Sequence, residues 1–143
     1  MNQDEIRDRL QSAAGCELEV RTSRGGDIVI DLTPERLVAA VAALATEDGP
    51  AHLSAITSFV EGSDAILLYH FWLGLGLTLR VRCHAGSSTV PSLTPSLPAA
   101  DWYEREAHDM LGICFAGHPN LAPLLLSPDW PGPPPLAGEE QAP

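Results

Sequence analysis

The chain has 143 residues, a length that suits one domain with a sizeable buried core. Its 19 acidic and 8 basic residues give a formal net charge of -11, which argues against nucleic acid as a partner and against adsorption to an anionic membrane surface. The apolar, uncharged run at residues 65–79 is shorter than the roughly 20 apolar residues that a bilayer span needs. We therefore expect membrane contact only through other proteins.

The cysteines predict a reduced compartment and no internal cluster. The three cysteines, Cys16, Cys83 and Cys114, form no CxxC pair, and the N-terminal segment resembles no secretion signal. Reduced thiols in the cytosol are therefore expected. An iron–sulfur cluster normally requires four cysteine ligands, so we predict no cluster in this chain, and Cys83 and Cys114 are expected to be small buried hydrophobic residues.

The first half of the chain predicts a helix, a hairpin and a second helix. Ile6 and Leu10 lie at helical spacing, and alternating apolar residues on both sides of a Gly-rich turn predict paired strands. Thr33 and Pro34 predict an N-cap followed by proline at the first helical position. These elements are expected at residues 3–13, 18–21, 28–32 and 33–48.

The second half predicts three strands, an extended connector and a third helix. The apolar run 66–72 predicts a strand that is buried on both faces, whereas the alternation in 77–83 predicts a strand with one buried face. The whole order, α-β-β-α-β-β-β plus a C-terminal helix, predicts a two-layer α+β domain with helices on one face of a mixed or mostly antiparallel sheet. The elements are expected at residues 53–60, 66–72, 77–83, 85–98 and 102–111.

We call residues 102–126 the signature segment. It is expected to begin as a helix with one apolar face. Tyr103, Ala107, Met110 and Leu111 lie on that face, and Gly112 is expected to end the helix in a left-handed conformation. A short apolar turn and a proline-interrupted apolar stretch are expected to follow.

The charged residues of this helix are expected to lie off its apolar face. Asp101 is a candidate N-cap with Glu104 as its capping-box partner, and Arg105 is spaced for ion pairs with Asp101 and Asp109. His118 precedes proline and is expected to fix the turn by a local hydrogen bond, whereas His108 is expected on a solvated or interface face.

The segment offers little that suits catalysis or metal binding. A zinc site from His108, Cys114 and His118 matches no common ligand spacing. Acidic side chains beside Arg105 are expected to stay ionised, which does not suit proton transfer. No phosphate-binding glycine loop or activated nucleophile is recognisable. We therefore predict no catalytic, cofactor-binding or metal-binding residues, and two uses for the charged helix remain: docking to a partner, or a solvated face with internal salt bridges.

The signature segment resembles the thirty-kilodalton subunit (the C subunit) of respiratory complex I and the related subunit of membrane-bound hydrogenases and formate hydrogenlyases. Weaker resemblance extends from about Glu35 to Trp130. The matching motifs are Tyr103-Glu104-Arg105-Glu106, Asp109-Met110, Gly112-Ile113, Phe115 and Gly117-His118-Pro119 with Leu121.

The resemblance implies a cofactor-free structural subunit in the peripheral arm of a complex I-like NADH-quinone oxidoreductase, on the cytoplasmic side of the cell membrane. Such a chain has no active site of its own. It docks a large partner of the forty-nine-kilodalton type (the D subunit) to subunits that carry the iron–sulfur clusters. The implied structural signature is Trp102, Tyr103, Gly112, Phe115 and Gly117. The implied partner-interface residues are Glu104, Arg105, Glu106, Asp109, His118 and Pro119.

The sequence also departs from the family pattern. Asn120 stands where an aspartate is usual, Ala122-Pro123 where a basic pair is usual, and Pro-Leu-Ala-Gly-Glu-Glu at 135–140 where basic residues are usual. The alternatives are therefore the equivalent subunit of an energy-converting [NiFe] hydrogenase or formate hydrogenlyase, or a stand-alone adaptor or assembly protein. An independent small enzyme would require a copurifying cofactor or metal. Residues 1–126 are expected to form the domain, and 127–143 a proline-rich tail that is disordered or bound to a partner.

Overall fold

The computed structural model describes residues 1–85 and 89–137. The helices are α1 (Gln3–Ala14), α2 (Leu37–Ala43) and α3 (Asp101–Leu111). The strands are β1 (Val20–Thr22), β2 (Ile28–Leu32), β3 (His52–Glu61), β4 (Asp64–Trp72), β5 (Gly76–His84), β6 (Thr89–Pro91) and β7 (Cys114–Ala116). Short 3-10 turns at Pro34–Arg36 and Pro98–Ala100 lead into α2 and α3.

Five strands form one mixed sheet in the order β1-β2-β5-β4-β3. The pairs β1–β2, β3–β4 and β4–β5 are antiparallel, and β2 and β5 are parallel. The parallel pair arises because the chain leaves β2 through α2 and returns through the β3–β4 hairpin before β5 takes its place beside β2. The predicted mixed sheet and its α+β order are confirmed.

One face of the sheet carries the core and the other faces outward. Leu79 and Val81 of β5 are fully buried and pack in one cluster with Ile6 of α1 and Leu37 of α2. The alternate residues of β5 include Arg82, which is exposed on the opposite face. The predicted two-layer arrangement and the predicted one-sided pattern of β5 are both confirmed.

Two helix ends differ from the prediction. Helix α2 ends at Ala43, before 48, because a tight turn closed by hydrogen bonds between Thr46 and Gly49 follows it. Asp101 is the first residue of α3 and not its cap, since Ala100 occupies the N-cap position without a side-chain hydrogen bond. The preceding 3-10 turn leads directly into α3, so Asp101 is already helical and cannot cap it. The predicted capping box of Asp101 with Glu104 is therefore wrong.

A second, two-stranded parallel sheet was not predicted. Strand β6 lies in the expected connector and pairs with β7, which lies in the expected apolar turn. Val90 and Phe115 are buried at the centre of this pair. Each strand has only three residues, too few to show a period in the sequence. Residues 86–88 of the predicted connector lie outside the described residues.

Residues 127–137 follow the signature segment and lie against the end of α3. The Leu136 N–H donates to the Met110 carbonyl at 2.8 Å, and Ala137 is buried. The division of the chain after Leu126 stays a prediction, and 138–143 lie outside the described residues. Within the described ranges, no helix combines the length and the apolar character needed to cross a membrane.

Candidate partner-binding surface

Helix α3 is anchored to the edge strand of the larger sheet near its first turn and is capped locally at its other end. The Tyr103 hydroxyl donates to the Ser54 carbonyl of β3 at 3.0 Å. At the other end, Gly112 adopts a φ of 71° and its N–H donates to the His108 carbonyl, so the helix ends where the sequence predicts. His108 Nδ1 lies 2.8 Å from the Ile113 carbonyl, which places this ring against the helix end and not on a solvated face.

Glu104 points into the protein and is fully buried. Its carboxyl group accepts hydrogen bonds from Ser92 Oγ at 2.6 Å, the Leu93 N–H at 2.6 Å and Thr94 Oγ1 at 2.9 Å. A buried acidic side chain is tolerated when its oxygens are satisfied in this way. Glu104 therefore ties α3 to the segment that follows β6, and its predicted position off the buried face is wrong.

His118 lies beside this cluster with its side chain only 1% exposed. Its Nδ1 accepts a hydrogen bond from the Asn120 N–H at 3.0 Å, the kind of local turn contact that the sequence predicts. With Nδ1 acting as an acceptor, the ring proton belongs on Nε2. That atom lies 2.9 Å from Asp101 Oδ1 and 3.9 Å from Glu104 Oε2, but neither contact is a hydrogen bond, because the first lacks the required angles and the second is too long.

Tyr69 of β4 is the second buried polar group near Glu104. Its hydroxyl is buried and has no hydrogen-bond partner within the described residues. Burial, followed by the negative charge of Glu104, raises the pKa of Tyr69 well above its usual value. The hydroxyl therefore keeps its proton at physiological pH.

Asp109 and Arg105 form a clamp on segment 121–126, which bends at residues 124–126. The Asp109 Oδ2 atom accepts hydrogen bonds from the N–H groups of Leu124, Leu125 and Leu126 at 2.8, 2.8 and 3.1 Å. Burial alone would raise the pKa of Asp109, but these three hydrogen bonds outweigh it and lower the pKa.

Arg105 completes the clamp from the same helix. Its Nε and one terminal nitrogen donate to the carbonyls of Ala122 and Pro123, each at 3.0 Å. The predicted pairing of Arg105 with Asp101 and Asp109 is therefore replaced by contacts with backbone carbonyls. Arg105 therefore binds the two carbonyls at 122 and 123, and Asp109 binds the three N–H groups that follow at 124–126.

The six predicted interface residues thus fall into two groups. Glu104, Asp109 and the His118 side chain are buried, and Arg105 is half-buried against its own chain. Only Glu106 and Pro119 are exposed. Contact with a partner stays a prediction for all six residues. The buried residues can affect such a contact only by fixing the backbone around them.

The residues of the structural signature have separate positions. Phe115 is buried in β7, and Gly117 has a φ of 83°, a left-handed conformation that suits glycine in the turn before His118. Trp102 is 68% exposed, which is unusual for a tryptophan on a well-packed helix.

An open groove of about 510 Å³ runs beside the first turns of α3. Trp102 and Tyr103 line one side, Leu124 and Leu125 line the other, and Glu106 lies at its edge. The clamp creates this groove because it fixes segment 121–126 alongside the helix. Sequence reasoning missed it, since the residues of its two walls are about 20 positions apart in the chain.

The three cysteines have different surroundings. Cys83 is buried as predicted, but Cys114 is exposed because it occupies an outward position of β7. Cys16 is half-buried and accepts a hydrogen bond from Arg36 at 2.6 Å. Within residues 1–85 and 89–137, no group of three or more His, Cys, Asp or Glu side chains is placed to hold a metal ion.

Comparison with solved structures finds the same fold in two other proteins. The trypsin-resistant fragment of Nqo5 matches with a TM-score of 0.63 and 20% sequence identity, over 81% of this chain and 98% of that one. A chain of the membrane-bound sulfane sulfur reductase, an archaeal respiratory membrane complex, matches with a TM-score of 0.66 and 19% identity, over 95% of this chain and 80% of that one. At these identities the likeness shows a shared fold.

The family follows from the sequence. The family model for the 30 kDa subunit of respiratory-chain NADH dehydrogenase matches residues 30–140. The NADH-quinone oxidoreductase C subunit of Roseiflexus castenholzii is 34% identical over 94% of this chain and 84% of its own length. The chain therefore belongs to the family of the 30 kDa subunit of respiratory-chain NADH dehydrogenase.

Some members of the family are considerably longer than this chain. The NADH-quinone oxidoreductase C subunits of Salinispora arenicola and Salinispora tropica are each 35% identical over 92% of this chain. The chain spans 58% of the length of either relative.

Proposed function

We propose that this chain is a structural subunit of the peripheral arm of a complex I-like NADH-quinone oxidoreductase. In this role it docks a large subunit of the forty-nine-kilodalton type to subunits that carry iron–sulfur clusters, and it binds no cofactor itself. The assembly would lie on the cytoplasmic side of the cell membrane, with this chain attached only through its partners. Membership of the 30 kDa subunit family is the observation that carries the proposal.

The geometry of the signature segment supports a docking role. The ionisable side chains most suited to chemistry are occupied by contacts within the chain: Glu104 with the segment after β6, and Asp109 and Arg105 with residues 122–126. These contacts hold segment 121–126 beside the helix and leave a groove open to solvent. A rigid surface of this kind suits protein recognition, because little conformational entropy is lost when a partner binds.

A second candidate keeps the architecture and changes the reaction. The fold matches a chain of the archaeal membrane-bound sulfane sulfur reductase about as well as it matches Nqo5. The equivalent subunit of an energy-converting [NiFe] hydrogenase, a formate hydrogenlyase or a related reductase is therefore the main alternative. The absence of basic residues at 122–123 and 135–140 is a departure from the NADH-quinone oxidoreductase pattern that favours this alternative.

The test is a mild-detergent purification of the tagged chain from its host, followed by mass spectrometry of the retained proteins. We expect a large subunit of the forty-nine-kilodalton type together with iron–sulfur and membrane subunits. Copurification of a flavin-containing NADH-oxidising pair would identify the NADH-linked reaction, whereas a large subunit with nickel-binding cysteines would identify the hydrogenase type. Recovery of the chain alone would overturn the proposal in favour of a stand-alone adaptor.

A further inference from the structure

The groove beside α3 exposes two large apolar side chains that the protein holds rigidly. Trp102 is 68% exposed and Leu125 is 58% exposed. Trp102 lies in the first turn of α3, which the neighbouring Tyr103 hydroxyl anchors to Ser54 of β3. Leu125 is fixed by the hydrogen bond from its N–H to Asp109. Exposed tryptophan on a fixed backbone is the residue type that most often dominates the energetics of a protein interface.

The edge of the groove is acidic. Glu106 is exposed and makes no hydrogen bond or ion pair in the part of the chain that the structure describes, and Asp101 also lines the groove. Arg105 is the one basic residue between Trp102 and Leu125, and it is engaged by the carbonyls of Ala122 and Pro123. The groove therefore combines apolar side chains with an acidic side chain, Glu106, that has no ion-pair partner among the described residues.

The charge decides which occupant suits this groove. A second copy of the chain would bring a net charge of -11 to an acidic rim, and the chain's own C-terminal residues include Glu139 and Glu140. Both would be repelled, because like charges at an interface lower affinity. A segment with lysine or arginine next to an apolar side chain complements both the negative charge and the apolar side chains of the groove.

The outer face of the sheet also exposes large apolar side chains, but its charged residues are paired. Phe59 and Trp72 are exposed there, as large apolar residues also are in the groove. However, Arg82 on that face is paired with Asp64 at 2.7 Å and with Glu61 at 3.3 Å. The charges of Arg82, Asp64 and Glu61 on that face are therefore paired with one another, and Trp72 provides a matched control for Trp102.

We infer that the groove formed by Trp102, Leu125 and Glu106 binds a basic segment of another subunit, with an apolar side chain placed against Trp102 and a lysine or arginine paired with Glu106. The inference rests on the proposed function, since it names the face and the partner chemistry of the docking role. Segment 121–126 serves as the second wall, and the clamp residues position it.

The experiment uses the full-length tagged chain expressed in its host, purified in mild detergent. Trp102→Ala and Glu106→Arg are compared with two controls, Trp72→Ala on the outer sheet face and Glu47→Arg, an exposed charge reversal far from the groove in sequence. We expect the amount of copurified partner to fall at least about tenfold in the groove variants and to equal the wild-type amount in the controls. Thermal melts of the four purified variants check that each is folded.

A photo-crosslinking amino acid at position 102, compared with the same amino acid at 72, identifies the occupant. We expect a crosslink from 102 to a peptide of another subunit that contains lysine or arginine. A crosslink to a peptide without a basic residue, or between two differently tagged copies of this chain, would overturn the inference.

The outcomes separate the inference from the proposed function. If the wild-type chain retains its partners and both groove variants retain them equally well, the inference is wrong and the docking role stands. If the wild-type chain retains no partner, the docking role itself fails.

Discussion

Glu104 shows how a buried acidic residue becomes a structural part of the fold. Three donors from residues 92–94 converge on its carboxyl group, which has no solvent exposure. These donors lie in a stretch of serines, threonines and prolines that has no apolar pattern of its own. The carboxyl group therefore adds hydrogen bonds to a segment whose Val90, Leu93 and Leu97 are buried in the core.

Replacing Glu104 tests this role directly. Glu104→Ala leaves three buried donors without an acceptor, and because each costs about 1–3 kcal/mol, we expect the free energy of unfolding to fall by about 3 kcal/mol or more. Glu104→Gln should lose only about 1 kcal/mol, since its oxygen accepts from Leu93 while the hydroxyls of Ser92 and Thr94 rotate to accept from its amide. Urea unfolding measures both values.

The exposed neighbour provides the control for this experiment. Glu106 is exposed and makes no hydrogen bond or ion pair within the described residues, so Glu106→Ala should change the free energy of unfolding by less than about 0.5 kcal/mol. Equal losses for Glu104→Ala and Glu106→Ala would contradict the structural role of Glu104.

Asp109 predicts a specific dependence of stability on pH. Its folded-state pKa lies below the ordinary value of 3.8, because three backbone N–H groups outweigh the effect of burial. A lowered folded-state pKa contributes stability that is present above 3.8 and is lost as the pH falls through the lower folded value.

The variant Asp109→Asn separates the charge from the hydrogen bonds. It keeps an acceptor but removes the charge, so it should be less stable than wild type at neutral pH. The difference in urea midpoint from wild type should shrink below pH 3.8. A difference that stays constant down to acid pH would show that the charge of Asp109 contributes nothing.

At the scale of elements, α3 organises the second half of the protein through its side chains. Its inward face binds the segment after β6, its clamp binds 122–126, and the carbonyl of Met110 accepts from Leu136. Three stretches without regular secondary structure are therefore ordered by one helix of 11 residues. The helix ends at Gly112, next to the part of the chain that returns at Pro134.

Two glycines allow the packing of that returning part to be measured. Gly15 and Gly112 both end helices, with φ values of 69° and 71°, so alanine at either position costs roughly 1–2 kcal/mol. A Cβ atom on Gly112 would also lie 3.0 Å from Pro134 Cγ, whereas nothing lies within 4 Å of one on Gly15. We expect Gly112→Ala to cost about 1 kcal/mol more than Gly15→Ala in thermal or urea unfolding.

The truncated chain identifies the cause of that difference. In a chain that ends at Leu126, Pro134 is absent, and the two alanine substitutions should cost the same. If the excess cost of Gly112→Ala persists after truncation, the packing of Pro134 against Gly112 is not its cause.

At the scale of the whole molecule, the two layers leave two different surfaces exposed. The outer sheet face carries arginines that are paired with acidic residues on other strands, such as Arg80 with Glu61 and Arg82 with Asp64. The surface beside α3 carries apolar side chains and an unpaired acidic rim. A net charge of -11 adds long-range repulsion toward other acidic proteins and attraction toward basic ones.

The sequence by itself determined the fold class, most of the strands, the end of α3 at Gly112 and the family. These features depend on local patterns: the alternation in β5, the apolar run of β4 and the helical spacing around Ala107 are each contained within a dozen residues. A glycine after an amphipathic helix likewise acts through its own backbone, and the family motifs are contiguous.

The positions of the charged side chains were decided only by tertiary structure. The helical pattern predicts Glu104 and Asp109 off the buried face, because burial of a carboxyl group depends on donors that lie elsewhere in the chain. Those donors come from residues 92–94 and 124–126, and no local pattern marks them as partners. The clamp, the groove and the β6–β7 pair all join segments that are distant in sequence. They exist because hydrogen bonds and packing act on distances in space, which become known only when the chain is folded.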